Sequence, residues 1–177
     1  MGEGRRHLIL VGLPGSGKST VGKLVAEELD ARFVDLDLAI AARAGKSIAE
    51  IFATEGEAVF RRLEREAMER ELEGAPAVIA AGGGWAAQPG NLEGARRKAV
   101  AIYLEVRPEE AARRMQQNRE LSERPLLAGQ EPERALRDLL ALRESWYRLC
   151  EARVDGSPGP EQVAWAVVNL ARSLGGW

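Results

Sequence analysis

Residues 12–20 read GLPGSGKST and constrain the chain more than any other stretch. A glycine, four residues, then Gly-Lys-Ser is the phosphate-loop pattern, filled here by Gly12, Gly17, Lys18 and Ser19. The spacing has a physical reason. A triphosphate needs several N–H donors converging on it, and Gly12, Gly15 and Gly17 permit backbone conformations and close approaches that a Cβ would block. Lys18 then reaches the β- and γ-phosphates, and the Ser19 hydroxyl can join the shell of a Mg²⁺ ion. The flanks supply the required context. His7–Val11 (HLILV) reads as a short buried strand, and Val21, Leu24, Val25 and Leu29 recur at helical spacing. A helix opening at the loop adds its N-terminal dipole to the anion site. Nucleotide binding is therefore the primary expectation, with Gly15, Ser16, Gly17, Lys18, Ser19 and Thr20 as ATP-binding residues.

Strands and helices alternate along the rest of the chain. Arg32–Asp35 reads as a second strand whose end carries Asp35 and Asp37. Ser47–Glu50 is a capping box opening a short helix, and Thr54–Glu57 reads as another, opening a helix to about Leu72. Ala77–Ala81 is a third strand, stopped by Gly82, Gly83 and Gly84. A short helix spans Pro89–Arg97, and Val100–Glu105 is a fourth strand, followed by a helix with Pro108 in its first turn. Residues 116–130 carry charge without apolar periodicity and read as a mobile surface segment. A helix over Pro132–Ala152, a last strand at Arg153–Asp155 and a helix over Gly159–Leu174 close the chain. Such alternation predicts a three-layer α/β/α fold around a five-stranded parallel sheet, with ligands beyond the carboxyl ends of the strands.

At 177 residues the chain is expected to be one domain. A net charge of -2 offers no electrostatic reason to expect nucleic acid or an anionic membrane as partner. No apolar run approaches membrane-spanning length, and the N-terminal hydrophobic run flows into the phosphate loop instead of forming a removable signal, so a cytoplasmic protein is expected. A single cysteine, Cys150, excludes an internal disulfide and reads as a packed thiol. The lone histidine, His7, reads as structural. Only four of the 25 basic residues are lysines, so bidentate arginine side chains are plentiful.

The polar residues at the expected rim suggest an acceptor. One of Asp35 and Asp37 could hold Mg²⁺ while the other orients a hydroxyl; a turn pair capping the next helix is the plainer alternative. Three consecutive glycines imply close backbone approach. One of Arg61 and Arg62 must face inward if Phe60 anchors its helix. Arg124 precedes Pro125 in the segment that a closing lid would occupy, and Arg143 lies beside Trp146 and Tyr147. Arginines converging from separate elements suggest an anionic acceptor.

Together these segments resemble the shikimate kinases, within the nucleoside-monophosphate-kinase-like phosphate-loop folds. The resemblance runs through GLPGSGKST, Phe33–Asp37 (FVDLD), Gly45–Glu64 (GKSIAEIFATEGEAVFRRLE), the triple glycine, Arg124–Gly129 (RPLLAG) and Leu142–Arg148 (LRESWYR). It implies transfer of a phosphoryl group from ATP to the 3-hydroxyl of shikimate. Lys18, Asp37 and Arg124 would be catalytic, Ser19 and Asp35 would hold Mg²⁺, and Arg114 with Arg124 would join the ATP site. Asp37, Arg61, Gly82, Gly83, Gly84 and Arg143 would bind shikimate, the two arginines gripping its carboxylate. Residues 35–64 would form the acceptor segment and 115–129 the lid of a monomer, with the loop at Gly156–Pro158 bordering the base. Where the family usually carries a glutamate after Ile40 this chain has Ala41, and Trp85 and Ala86 follow the triple glycine. Trp85 would either reshape acceptor specificity or pack against the next helix. A gluconate-kinase-like enzyme and a non-catalytic nucleotide-binding protein are the alternatives.

Overall fold

The computed structural model describes residues 4–118, 127 and 129–177. Its centre is β1 (His7–Val11), every residue of which is buried. The chain continues through α1 (Lys18–Glu28), β2 (Arg32–Asp35), α2 (Leu36–Ala44), α3 (Ile48–Glu55), α4 (Glu57–Leu72), β3 (Ala77–Ala80), α5 (Asn91–Ala95), β4 (Ala99–Glu105), α6 (Pro108–Gln117), α7 (Pro132–Tyr147), β5 (Ala152–Asp155) and α8 (Pro160–Leu174). The five strands are parallel and lie in the order β2-β3-β1-β4-β5.

Side chains alternate across the sheet because successive residues of a strand point to opposite faces. Ile9, Val11, Ile79, Ala101 and Tyr103 face a core shared with α2, α4, α5 and α7. Leu8, Leu10, Val78, Val100 and Ile102 face α1 and α8 on the other side. Helices on both faces leave only the strand ends open. From β1 the chain moves to β2 and β3 on one side, then crosses from β3 to β4 and β5 on the other, so the carboxyl end of β1 is the point where the sheet order reverses and a crevice opens. The phosphate loop sits there.

Several boundaries differ from the sequence expectation, each for a local reason. Ser47 caps α3 as expected, its Oγ accepting from the Glu50 N–H at 3.1 Å. The second capping box does not form. Thr54 lies inside α3 and donates its hydroxyl to the Glu50 carbonyl at 2.8 Å, and α4 starts after Gly56 instead. Gly56 takes φ 86°, a bend that threonine resists, so the break between the helices falls on the glycine. Asp37 belongs to the first turn of α2, not to the strand end. Helix α7 stops at Tyr147 because the chain must reach the sheet: the Glu151 carboxylate accepts from the Ala101 N–H at 2.8 Å, just before β5 begins.

His7 and Cys150 are structural. His7 Nδ1 accepts from the Ala77 N–H at 3.2 Å, which requires the neutral ring, and burial holds its pKa below the ordinary value. Burial pushes the Cys150 thiol up to about 12, leaving it protonated. Among the described residues no helix is long and apolar enough to cross a membrane.

Candidate active site

The phosphate loop owes its shape to glycine. Gly15 holds φ 78°, and a Cβ there would lie 2.5 Å from the Ala111 carbonyl oxygen of α6. Gly17 caps α1 in a left-handed conformation, so Lys18, Ser19 and Thr20 form the helix's first turn, with its unpaired N–H groups. Lys18 folds back over the loop, donating from Nζ to the Gly12 and Leu13 carbonyls at 2.8 Å each. Ser16 is buried within the loop, whereas Thr20 is exposed.

Asp35 does two jobs. Its Oδ1 caps α2 by accepting from the Leu38 N–H at 3.2 Å, and its Oδ2 accepts from the Ser19 hydroxyl at 2.9 Å. The capping reading thus holds for Asp35, whose second oxygen reaches Ser19. A hydroxyl and a carboxylate oxygen side by side form a hard oxygen pair that suits Mg²⁺, which takes few protein ligands and completes its shell with water and phosphate oxygens. Among the described residues no group of three or more His, Cys, Asp or Glu gathers.

Beside the loop opens a cavity of about 500 Å³. Asp35, Asp37, Arg61, Glu64, Gly82, Gly83, Gly84 and Arg143 supply its polar wall, and Phe52, Phe60, Leu127 and Leu139 belong to its apolar one. The triple glycine explains itself here by close approach, not by φ. A Cβ on Gly82 would lie 2.5 Å from Glu64 Oε2 and 3.1 Å from Asp37 Oδ1. On Gly83 it would lie 2.9 Å from Arg143 Nη1, and on Gly84 2.4 Å from Arg61 Nη1. Each glycine thus leaves room for a different charged group. The Gly83 carbonyl is held in turn by the buried Tyr147 hydroxyl, which donates to it at 2.5 Å.

Of the arginine pair, Arg61 faces inward and Arg62 points out toward Glu66. Arg61 donates to Glu64 Oε1 at 2.9 Å and to Glu57 at 3.3 Å. Arg143, from α7, is only 7% exposed, a rare degree of burial for a permanent cation. Arg114 sits on the far side of the loop. It donates to the Gly156 carbonyl at 2.8 Å and to Ser16 and Ser157 at 3.4 and 3.3 Å, and Glu110 orients it at 3.0 Å. This joins the loop at Gly156–Pro158 to the phosphate site. Arg124, expected on the lid, lies outside the described residues.

A family model described as "Shikimate kinase" matches residues 14–171. The chain belongs to the shikimate kinase family. A shikimate kinase of Caldanaerobacter subterraneus subsp. tengcongensis is 39% identical over 172 residues, covering 97% of this chain and 99% of that protein. One from Symbiobacterium thermophilum is 43% identical over 153 residues, covering 83% and 87%. The solved shikimate kinase of Acinetobacter baumannii, in complex with shikimate, superposes with a TM-score of 0.89 at 33% identity, over 96% of this chain and 94% of that one. The fold is thus that of the nucleoside-monophosphate-kinase-like phosphate-loop proteins.

Two departures from the shikimate kinase pattern separate in space. Ala41 lines the cavity, so a methyl group stands where the family's glutamate is usual. Trp85 and Ala86 do not line it; both are buried in the core with Leu92, Ala95 and Tyr147. Trp85 is a packing residue. Replacing it with alanine is expected to lower stability by about 3–5 kcal/mol, seen as a fall in the urea midpoint, with the acceptor KM of the folded fraction unchanged.

Sequence reasoning assigned no role to Glu64. It is 1% exposed, and burial raises its pKa to about 7, aided by the Asp37 charge and opposed by Arg61 and Arg143. A signal was present: Phe60, Glu64, Ala67 and Met68 recur at the spacing of one helix face, which puts a carboxylate on the buried side of α4.

Proposed function

We propose that the protein transfers the γ-phosphoryl group of ATP to the 3-hydroxyl of shikimate, with the roles of its side chains as follows. The phosphate-loop amides of Gly15–Thr20 and the Lys18 ammonium hold the β- and γ-phosphates, and Arg114 with the Gly156–Pro158 loop borders the base. Ser19 and Asp35 would hold Mg²⁺, which when bound neutralises charge on the phosphates. Arg61 and Arg143 form a fork for the shikimate carboxylate, a planar bidentate geometry that lysine lacks. Asp37, in the first turn of α2, orients the ring hydroxyls and accepts the proton of the one that attacks. The backbone of Gly82, Gly83 and Gly84 lets the ring lie close to the strand ends.

The observation that carries this reading is the one cavity in which Arg61, the buried Arg143, Asp37 and the triple glycine meet beside the phosphate loop. A carboxylate held at the arginines points the rest of a small hydroxylated ring toward Asp37. Catalysis then consists of positioning and electrostatics, since phosphoryl transfer asks little covalent chemistry of the protein. Arg124 would stabilise the transferring group from a lid at about residues 115–129, closing over an acceptor segment at about 35–64 of one kinase domain. Every group named belongs to one chain, so the reading needs no second copy for catalysis, and it keeps the expectation of a monomer in the cytoplasm.

The test is coupled ADP release with Mg²⁺ and ATP, with shikimate and separately with gluconate. Turnover is expected with shikimate alone. Equal rates with gluconate, or none with shikimate, would overturn the acceptor assignment.

A further inference from the structure

The floor of the acceptor cavity contains a carboxylate that the roles above leave unused. Glu64 projects from α4, buried, with Oε1 bonded to Arg61. Its other oxygen, Oε2, is buried without a hydrogen-bond partner. It borders the space beside Gly82 that a side chain would otherwise fill, and Asp37 Oδ1 borders the same space. A buried carboxylate oxygen with no donor is costly when ionised and comfortable when protonated.

The charged and titratable groups that face Glu64, among the described residues, are few. Arg61 lies on its own helix, Asp37 comes from α2, and Arg143 comes from α7, with the Tyr147 hydroxyl one turn further along. The strand end at Gly82 brings only backbone. Two cations thus favour the ionised form, while burial and one carboxylate oppose it. An anionic acceptor on the two arginines adds negative charge at the point where Glu64 draws its support. It also competes for the Arg61 N–H groups. Both effects favour the neutral acid, and a protonated Oε2 gains an O–H to donate to an acceptor oxygen.

We infer that Glu64 takes up one proton from solvent as the acceptor binds, so that the site binds its anionic substrate together with a proton. This rests on the acceptor reading above and deepens it. The balance is simple: an O–H bond forms at Oε2, no other covalent bond changes, and the proton returns to solvent when the product leaves. Burial already holds the Glu64 pKa at about 7 before the acceptor arrives, so the coupling falls within the working range of pH. The sign follows. Below about pH 6 the acid is already neutral and binding takes up little; above it the proton must be acquired, and affinity weakens as pH rises.

Titration calorimetry of shikimate into the enzyme saturated with Mg²⁺ and ADP, repeated in buffers of different ionisation enthalpy, counts that proton. Uptake is expected at roughly half a proton per shikimate at pH 7, approaching one at pH 8.5 and near zero at pH 5.5. In Glu64→Gln the uptake should vanish, and the roughly thirtyfold rise in shikimate KM between pH 6 and 8.5 should flatten while the KM for ATP stays put. Asp37→Asn should retain the uptake. Binding with no proton uptake in the native enzyme overturns the inference alone, as does uptake that survives in Glu64→Gln or is lost from an Asp37→Asn variant that still binds shikimate. Failure of shikimate to bind at any pH overturns the acceptor reading and this inference with it.

Discussion

Replacing Lys18 with alanine is expected to lower kcat by about 10²–10³-fold, the range seen when one preorganised donor to a developing charge is removed. The ammonium rests at 2.8 Å from two loop carbonyls, Gly12 and Leu13, and 3.5 Å from the Ser16 hydroxyl. It is therefore already parked over the mouth of the loop before a triphosphate arrives, and little side-chain freedom remains to be lost at the moment of reaction. The loop itself should survive. Its turn depends on glycine conformations and on the Ser16 N–H bond to the Leu13 carbonyl at 3.1 Å, neither of which involves the lysine side chain. A stability loss of about 1–3 kcal/mol is expected, since Gly12 and Leu13 are buried and their carbonyls lose a donor. The measurement is kcat at saturating shikimate with the thermal midpoint as control. A kcat within threefold of the native value would remove Lys18 from the mechanism.

Arg143→Ala should act on the other substrate. Truncating one partner of a buried, hydrogen-bonded charge pair costs about 2–5 kcal/mol, so the shikimate KM is expected to rise by roughly 30- to 4,000-fold. The KM for ATP should change little, because the guanidinium stands beside Gly83 and not on the phosphate loop's nucleotide side. Lysine at this position should recover only a small part of the loss, having one point charge where the carboxylate needs a planar pair of donors. Removing Arg143 also withdraws a cation that favours ionisation of Glu64 and Tyr147, so both become more reluctant to ionise. Steady-state kinetics with each substrate varied in turn separates the cases. Equal rises in both KM values would mean that the site had collapsed, and an unchanged shikimate KM would take Arg143 out of the fork.

The features that the amino-acid sequence determined by itself are those set by neighbours along the chain. The phosphate loop was legible because its chemistry lies in nine consecutive residues, between an apolar strand and an amphipathic helix. The five strands and the Ser47 cap were legible for the same reason, and so was Asp35 at its strand end, whereas Asp37 falls in the first turn of α2. Local pattern failed where two local solutions competed: Thr54 and Glu57 have capping-box spacing, but Gly56 between them could bend more cheaply, and α4 begins there.

What only the tertiary structure decided is which distant groups share one small space. Trp85 directly follows the glycines that line the cavity, yet it turns into the core, because its indole finds apolar neighbours from β4, α5 and α7 there. Asp37, Glu64, Gly82 and Arg143 sit on four different elements, and no spacing along the chain relates them. Folding brings them around one cavity, where water is scarce and a charge is stabilised or penalised by whatever lies within a few ångströms. That is why the sequence could name the arginines and the acceptor aspartate as candidates, and could put Glu64 on the buried face of α4, while only packing set that carboxylate between them.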